Sequence, residues 1–335
     1  MNTLLSITDL HVNYGRRNRI VRAADGVTFD VGEGEIVGLV GESGSGKSTI
    51  GRAVVGLAPV TSGSVVFDDE EIGHASRPAR RRLSAHIQMI FQDPFSSLNP
   101  ARTVEQTLLE PMLVHTPKAS RAELSARVAE VLKMVDLPAS AAGRYPAQFS
   151  GGQRQRIAIA RSLVLSPRLV ICDEPVSSLD LSIQAQILNL LVDLRAAMGV
   201  AYLLVAHDLA VVRHVAERVV VLYKGRIMES GPTELITDHP CHPYTLALTA
   251  AAPVPNPSIQ RERAARRHLL PVATPDESVS AAGCPFAARC ASATDQCRST
   301  SPPMTRLADG RDVACFLFTG CSTRAANQSN NKGEQ

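Results

Sequence analysis

The sequence predicts an α/β fold built on a mostly parallel sheet, and three observations carry that expectation. Short apolar runs recur through roughly the first 250 residues, helix-like segments separate them, and the first run leads straight into a glycine-rich turn. A strand covered on both faces reads as a continuous apolar run, and "EIVGLV" at 35–40 reads that way. "IQMIF" at 87–91, "RLVIC" at 168–172, "AYLLVA" at 201–206 and "RVVVLY" at 218–223 are the further buried-strand candidates. Between the second and third of these lies a helical insert. Its segment "SRAELSARVAEVLKMVDL" starts with Ser120 and Glu123 at capping-box spacing, and Leu124, Val128, Val131, Leu132 and Val135 share one apolar face. An ordinary packing helix is expected there.

After residue 252 the texture changes. "AAPVPNPS" predicts a proline-rich linker, "RERAARR" at 261–267 is a charge run, and a cysteine-bearing region follows. The polar end "STRAANQSNNKGEQ" predicts a disordered tail over 322–335. A chain of 335 residues has room for one large core plus an appendage, or for two modest domains. A net charge of +3 is too small to argue for nucleic acid as a partner. The start "MNTLLSITDL" lacks a basic leader region, so no signal peptide is expected. Apolar runs such as "VAYLLVA" fall far short of the ~18 residues a membrane span needs. A reducing cytoplasm is the expected setting, where structural disulfides are rare.

The chemistry starts at "GESGSGKST", residues 41–49, which fits G-x-x-x-x-G-K-[ST] through Gly41, Gly46, Lys47 and Ser48. Glycines let successive backbone N–H groups aim at phosphate oxygens, and the following helix adds its positive end. Lys47 is expected to neutralise β- and γ-phosphates, and the Ser48 hydroxyl to ligate Mg²⁺. "LVICDE" at 169–174 ends a buried strand in two carboxylates, which is costly unless a metal or substrate compensates them. Asp173 is expected to hold Mg²⁺ through water, and Glu174 to polarise the attacking water. Gln92 and His207 follow two predicted parallel strands, at the sheet edge where such folds bind ligands. "FSGGQRQRIAIARSLVLSP" at 149–167 opens a second helix with Ser150 and two glycines, a second anion-binding N-terminus in one chain. A dimer in which each chain's Ser-Gly-Gly caps the nucleotide held by the other would use both.

With those residues in place, positions 4–253 resemble the nucleotide-binding subunit of an ATP-binding cassette (ABC) transporter. Tyr14 lies where that family stacks an aromatic on adenine. Gly41, Glu42, Ser43, Gly44, Ser45, Gly46, Lys47, Ser48 and Thr49 match the Walker A loop, and Gln92 the Q-loop. Ser150, Gly151, Gly152 and Gln153 match the signature, with Phe149 in place of the usual leucine. Asp173 and Glu174 match the Walker B end, "SSLD" with Asp180 the D-loop, and His207 the switch histidine. The resemblance implies a RecA-like core with an antiparallel β subdomain and a helical subdomain at about 103–165. It also implies ATP and Mg²⁺ as cofactors, with Ser48, Gln92 and Asp173 as the Mg²⁺ set.

"FQDPFSSLNPARTV", "DLSIQAQILNLL", "HPYTLAL" and the cysteine-bearing extension over 254–321 read more narrowly like bacterial oligopeptide and dipeptide importers. "IQMIFQDP" and "LLEPM" are closer to the F-type than the D-type ATPase of such a pair. That implies two integral-membrane permease subunits, a second cassette and an extracytoplasmic peptide-binding protein, at the cytoplasmic face of the cell membrane. Nickel chelates, glutathione or sugars are alternative cargoes. A soluble ABC ATPase acting on nucleic acid or ribosomes is the rival class. Against it, only about a hundred residues separate Lys47 from Ser150, no sustained heptads are present, and the chain carries one cassette.

Two features remain. "RPARRR" at 77–82 and "RERAARR" are expected to be solvated surface rather than lipid contacts, and "HPCHP" at 239–243 a structural loop. The cysteines Cys284, Cys290, Cys297 and Cys315 lack the close pairs of common zinc sites. The importer resemblance includes members with a 4Fe-4S cluster in this extension, and four thiolates are the usual ligand set for one. Zinc and free thiols remain open, with Cys321 as a substitute fourth ligand.

Overall fold

The structure, a computed structural model, describes residues 2–15, 20–93, 97–177, 179–251 and 282–319. The linker after Ala251, the charge run at 261–267, Cys321 and the tail lie outside the described residues. The chain opens with β1 (Thr3–Tyr14), β2 (Val21–Gly32) and β3 (Ile36–Val40), followed by α1 (Lys47–Val54). Next come β4 (Ser62–Phe67), β5 (Glu70–Glu71), α2 (Arg77–Leu83) and β6 (Ile87–Ile90). Three helices follow, α3 (Val104–His115), α4 (Arg121–Met134) and α5 (Gly151–Leu163), and then β7 (Leu169–Asp173). The alternation continues through α6 (Leu181–Met198), β8 (Ala201–Ala206), α7 (Leu209–Val215), β9 (Arg218–Tyr223) and β10 (Arg226–Pro232). After α8 (Thr233–Asp238) and α9 (Pro243–Ala251) come α10 (Asp295–Ser299), β11 (Thr305–Arg306) and β12 (Asp312–Val313).

The strands form two sheets, one in the order β2-β1-β4-β5 and one in the order β11-β12-β10-β9-β3-β8-β7-β6. Every neighbouring pair from β9 through β3, β8 and β7 to β6 is parallel, so the sequence's five buried strands are the parallel part of the larger sheet, with β6 at its edge. Its strands separate their residues by face. Val37 and Leu39 pack in one apolar layer with the antiparallel sheet, while Ile36 and Val40 pack in the other with the helices. Cover on both faces is why these strands read as unbroken apolar runs. Each fully buried Val, Leu or Ile stabilises by about 1.5–3 kcal/mol.

The capping boxes are formed. At α4 the Ser120 hydroxyl accepts from Glu123 N at 3.3 Å, and Glu123 Oε2 accepts from Ser120 N at 2.7 Å. Leu124, Val128, Val131 and Leu132 are buried, as the helical spacing predicts. The arginines of α2 are used locally. Arg80 donates to the carbonyls of Val54 and Gly73, Arg81 to that of Val114, and Arg82 pairs with Glu70.

The largely irregular C-terminal extension adds two short strands to the larger sheet. Its β12 pairs antiparallel with β10, Glu229 against Val313 and Ser230 against Asp312, and β11 adds one more strand. The larger sheet therefore continues into residues 305–313. Two-residue strands carry no alternation to read, which is why the sequence hides them. The anchor is polar. Fully buried Glu229 accepts from Cys241 N and His242 N, both at 2.9 Å, and faces the Arg311 guanidinium of the extension at 3.6 Å. The "HPCHP" loop thus has the structural role expected of it.

Candidate functional site

β3 delivers the chain to Gly41, and α1 begins immediately after Gly46. Both glycines are required by space. A Cβ at Gly41 would overlap the Leu222 carbonyl oxygen, and one at Gly46, where φ is +104°, would overlap that of Ala23. The loop is therefore pressed against β2 and β9. Gly225 N donates to Ser45 O at 2.8 Å, and Glu42 N donates to the Tyr244 hydroxyl at 2.9 Å. Inside the loop Lys47 is 4% exposed, and its Nζ donates to Gly41 O at 2.8 Å and Glu42 O at 3.0 Å. Burial lowers its pKa, opposed by the nearby carboxylates Glu174, Asp173 and Glu42.

The end of β7 brings two carboxylates to this loop. Ser48 Oγ donates to Asp173 Oδ1 at 2.6 Å, while Asp173 Oδ2 is buried without a hydrogen-bond partner. Arg52 approaches that oxygen to 3.8 Å. Burial raises the pKa of Asp173, against the Ser48 hydrogen bond and Arg52. An orphaned buried carboxylate oxygen beside a hydroxyl suits a hard divalent cation, which takes oxygen ligands. Glu174 is left-handed, with φ +48°, and its N–H is tied to Val205 O at 3.0 Å. A non-glycine residue held there is a strained position of the kind that clusters at functional sites. Gln92 Nε2 donates to Glu174 Oε2 at 3.1 Å, and His207 Nδ1 lies 3.4 Å from the same oxygen.

One cavity of about 540 Å³ collects most of the sequence-predicted residues: Tyr14, Ser43, Gly44, Gly46, Lys47, Ser48, Thr49, Gln92, Glu174 and His207 line it. Val21, Arg22, Ala23 and Lys224 line it too, and no motif pointed to them. They come from β2 and the turn after β9, whose approach to the loop is a tertiary fact. The segment Ser150–Gln153 stands apart from the cavity lining. There the Ser150 hydroxyl caps Gln153 N at 3.3 Å, and Gly152 lies so close to Ile183 that any Cβ would crowd it. Asp180 is the N-cap residue of α6 without a side-chain cap hydrogen bond, and Leu181 beside it is 84% exposed.

The four cysteines line a second cavity of about 210 Å³, with His242, Phe286 and Phe316. None of them is in a disulfide. Burial pushes the Cys284 thiol up to about 11, and the neighbouring Cys297, Cys290 and Cys315 add to that push. Among the described residues, no group of three or more His, Cys, Asp or Glu is placed to hold a single metal ion. His242 is occupied elsewhere, since its Nδ1 accepts from Tyr244 N at 3.0 Å.

A phosphate-type loop, two strand-end carboxylates and a glutamine and histidine on one of them define a P-loop ATPase of the cassette class. The chain belongs to the ABC transporter family of ATP-binding ATPases. The profile described as "ABC transporter" matches residues 24–177, and the one described as "Oligopeptide/dipeptide transporter, C-terminal region" matches 228–297. A relative from Brucella ovis, named as a peptide import ATP-binding protein, is 44% identical over 93% of this chain and 97% of its own. YkfD of Bacillus subtilis, named as an oligopeptide transport ATP-binding protein, is 41% identical over 96% of this chain and 97% of its own. Among solved structures, the dimeric cassette MJ0796 bound to ADP and Pi superposes with a TM-score of 0.63 at 30% identity. It covers 69% of this chain and 99% of that one. The Clostridium perfringens CbiO1 structure, part of an ABC transporter complex, gives 0.64 at 28% identity over 71% and 92%.

Proposed function

We propose that this chain is the ATP-hydrolysing, energy-coupling subunit of a bacterial importer of peptides, working at the cytoplasmic face of the membrane. It would pair with a second cassette, bind two Mg-ATP across the dimer and drive two permease subunits served by an extracytoplasmic binding protein. One observation carries the enzymatic part. Ser48 and Asp173, and Gln92, Glu174 and His207, meet at the phosphate loop although they are far apart in sequence. The C-terminal family match and the relatives' names support peptides as cargo. The F-type position in a D/F pair rests on the "IQMIFQDP" and "LLEPM" segments.

The family resemblance and the shared cavity support the following roles. The loop amides over 41–49 and Lys47 would hold the β- and γ-phosphates, and Tyr14 would stack on the base. Ser48, Asp173 and Gln92 would hold Mg²⁺, which when bound supplies charge neutralisation at the phosphates. Glu174 would take a proton from the attacking water, with Gln92 and His207 fixing its carboxylate. Ser150, Gly151, Gly152 and Gln153 would cap the nucleotide held by the partner cassette, with Asp180 near that contact. The domain limits that fit this reading are 4–253 for the cassette and 254–321 for the extension.

In the extension, Cys284, Cys290, Cys297 and Cys315 would hold a 4Fe-4S cluster, supported by four thiols on one cavity wall. Bound there, it would cross-link the segment through iron–thiolate bonds. Anaerobic purification with iron and sulfide analysis tests this, and a colourless, iron-free, folded chain would remove it. For the transporter reading, the chain should be purified from its native membrane and its companions identified. Two polytopic permeases and a sister cassette are expected. Recovery on ribosomes or DNA would overturn it.

A further inference from the structure

The extension touches the phosphate loop through one charged side chain. Arg289 closes a short 3₁₀ turn, Ala287–Arg289, between Cys284 and Cys290. Its guanidinium nitrogen lies 2.9 Å from both carboxylate oxygens of Glu42, the second residue of the loop. The same guanidinium stands over two rings, 5.4 Å from the centroid of Phe286 and 5.8 Å from that of Tyr223. Those rings belong to an aromatic cluster with Tyr244, in which Tyr223 and Tyr244 lie 4.6 Å apart and Phe286 is 5.4 Å from each. Tyr244 in turn accepts the Glu42 backbone N–H at 2.9 Å. Glu42 is thus held at both ends, its amide by Tyr244 and its carboxylate by Arg289.

This arrangement bears on the loop's shape. The Glu42 carbonyl is one of three acceptors that hold Lys47 Nζ, with the Gly41 carbonyl and the Ser45 hydroxyl. A shift of Glu42 therefore disturbs one of the contacts that position Lys47, the residue expected to face the phosphates. Stacking on Phe286 and Tyr223 limits the positions the guanidinium can take, so the pair loses less side-chain freedom than an unsupported surface ion pair.

We propose that Arg289 is a positioning residue for nucleotide binding: by clamping Glu42 it fixes the phosphate loop from the cysteine-bearing extension. This rests on the nucleotide reading of the loop. A positioning role predicts weaker ground-state binding with turnover intact at saturation. The ion pair is partly exposed, so the effect is modest, about 3–5-fold in ATP affinity.

The test is a double-mutant cycle in the full-length chain, using equilibrium titration with ATP and Mg²⁺ together with steady-state ATPase kinetics. Arg289→Gln should raise the ATP Kd and KM about 3–5-fold while leaving kcat within about twofold, and Glu42→Gln, within the phosphate loop itself, should raise the Kd by at least that factor. The double variant should be no weaker than the weaker single variant, because both remove one contact. Arg289→Lys should recover part of the loss by restoring the charge. Unfolding midpoints within a few degrees of wild type separate positioning from loss of fold. Additive effects of the two substitutions, or an unchanged Kd for Arg289→Gln, overturn the proposal while the nucleotide reading stands. A wild-type chain that binds no ATP overturns both.

Discussion

Gln92 and His207 converge on a single oxygen: the Gln92 amide donates to Glu174 Oε2 at 3.1 Å, and His207 Nδ1 lies 3.4 Å from the same atom. Glu174 itself is held in a left-handed conformation, with φ +48°. Two side chains on one carboxylate oxygen leave the other free to face an incoming water. Glu174→Gln keeps the shape and removes the base. ATP binding should survive while turnover falls about 10²–10⁴-fold. Single-turnover hydrolysis measured beside equilibrium ATP binding separates the two, and near-normal hydrolysis would take Glu174 out of the role.

Asp173 gives a second, sharper expectation. Its Oδ1 takes the Ser48 hydrogen bond and its Oδ2 is buried without one. A buried carboxylate oxygen with no hydrogen bond, faced only by Arg52 at 3.8 Å, is costly unless an ion or water completes it. Asp173→Asn should therefore shift the Mg²⁺ dependence of hydrolysis to about 10–100-fold higher concentration. ATP binding measured in chelator should change far less. An unchanged Mg²⁺ requirement would assign the ion to other ligands.

These carboxylates were legible because their cues are local: an apolar strand ending in Asp-Glu, a strand ending at Gln92, another at His207. The five parallel strands were legible for the same reason, each being a short apolar run. What stayed hidden is contact between distant segments. Arg289 and Glu42 meet across 247 positions, and nothing in the spacing of either announces it. The cysteine region lies far along the chain from the phosphate loop, yet aromatic packing of Phe286 on Tyr223 and Tyr244 seats it alongside. The sheet extension through β12 was hidden too, since two residues cannot display a period.

Gly44 and Gly46 of the loop have different structural demands. Gly46 has φ +104°, and a Cβ there would overlap the Ala23 carbonyl oxygen, a backbone atom that cannot swing aside. Gly44 also has positive φ, at +77°, but a Cβ there meets nothing within 4 Å. Gly44→Ala should cost only the left-handed penalty, about 1–2 kcal/mol. Gly46→Ala adds a steric clash and should cost more than about 2 kcal/mol, with loss of ATP binding. Chemical denaturation of both variants checks the order. Equal costs would mean the loop moves away from β2 without resistance.

The join between the cassette and the extension should respond to acid. His242 is buried, its Nδ1 accepts from Tyr244 N at 3.0 Å, and burial pushes its pKa down to about 4. An unfolded histidine titrates near 6.5. Between those values the unfolded chain binds the proton and the folded chain does not, so stability rises with pH across that window. The contribution of neutral His242 is therefore fully present above about pH 6.5 and is lost as pH falls toward 4, up to about 3 kcal/mol. His242→Gln does not titrate, so its stability should fall less steeply over the same range, whatever its value at neutral pH. Denaturant midpoints collected from pH 7 to 4.5 for both proteins provide the comparison. Parallel pH profiles would move the acid sensitivity away from His242, toward the carboxylates that the cassette holds in ion pairs, such as Glu35 with Arg218.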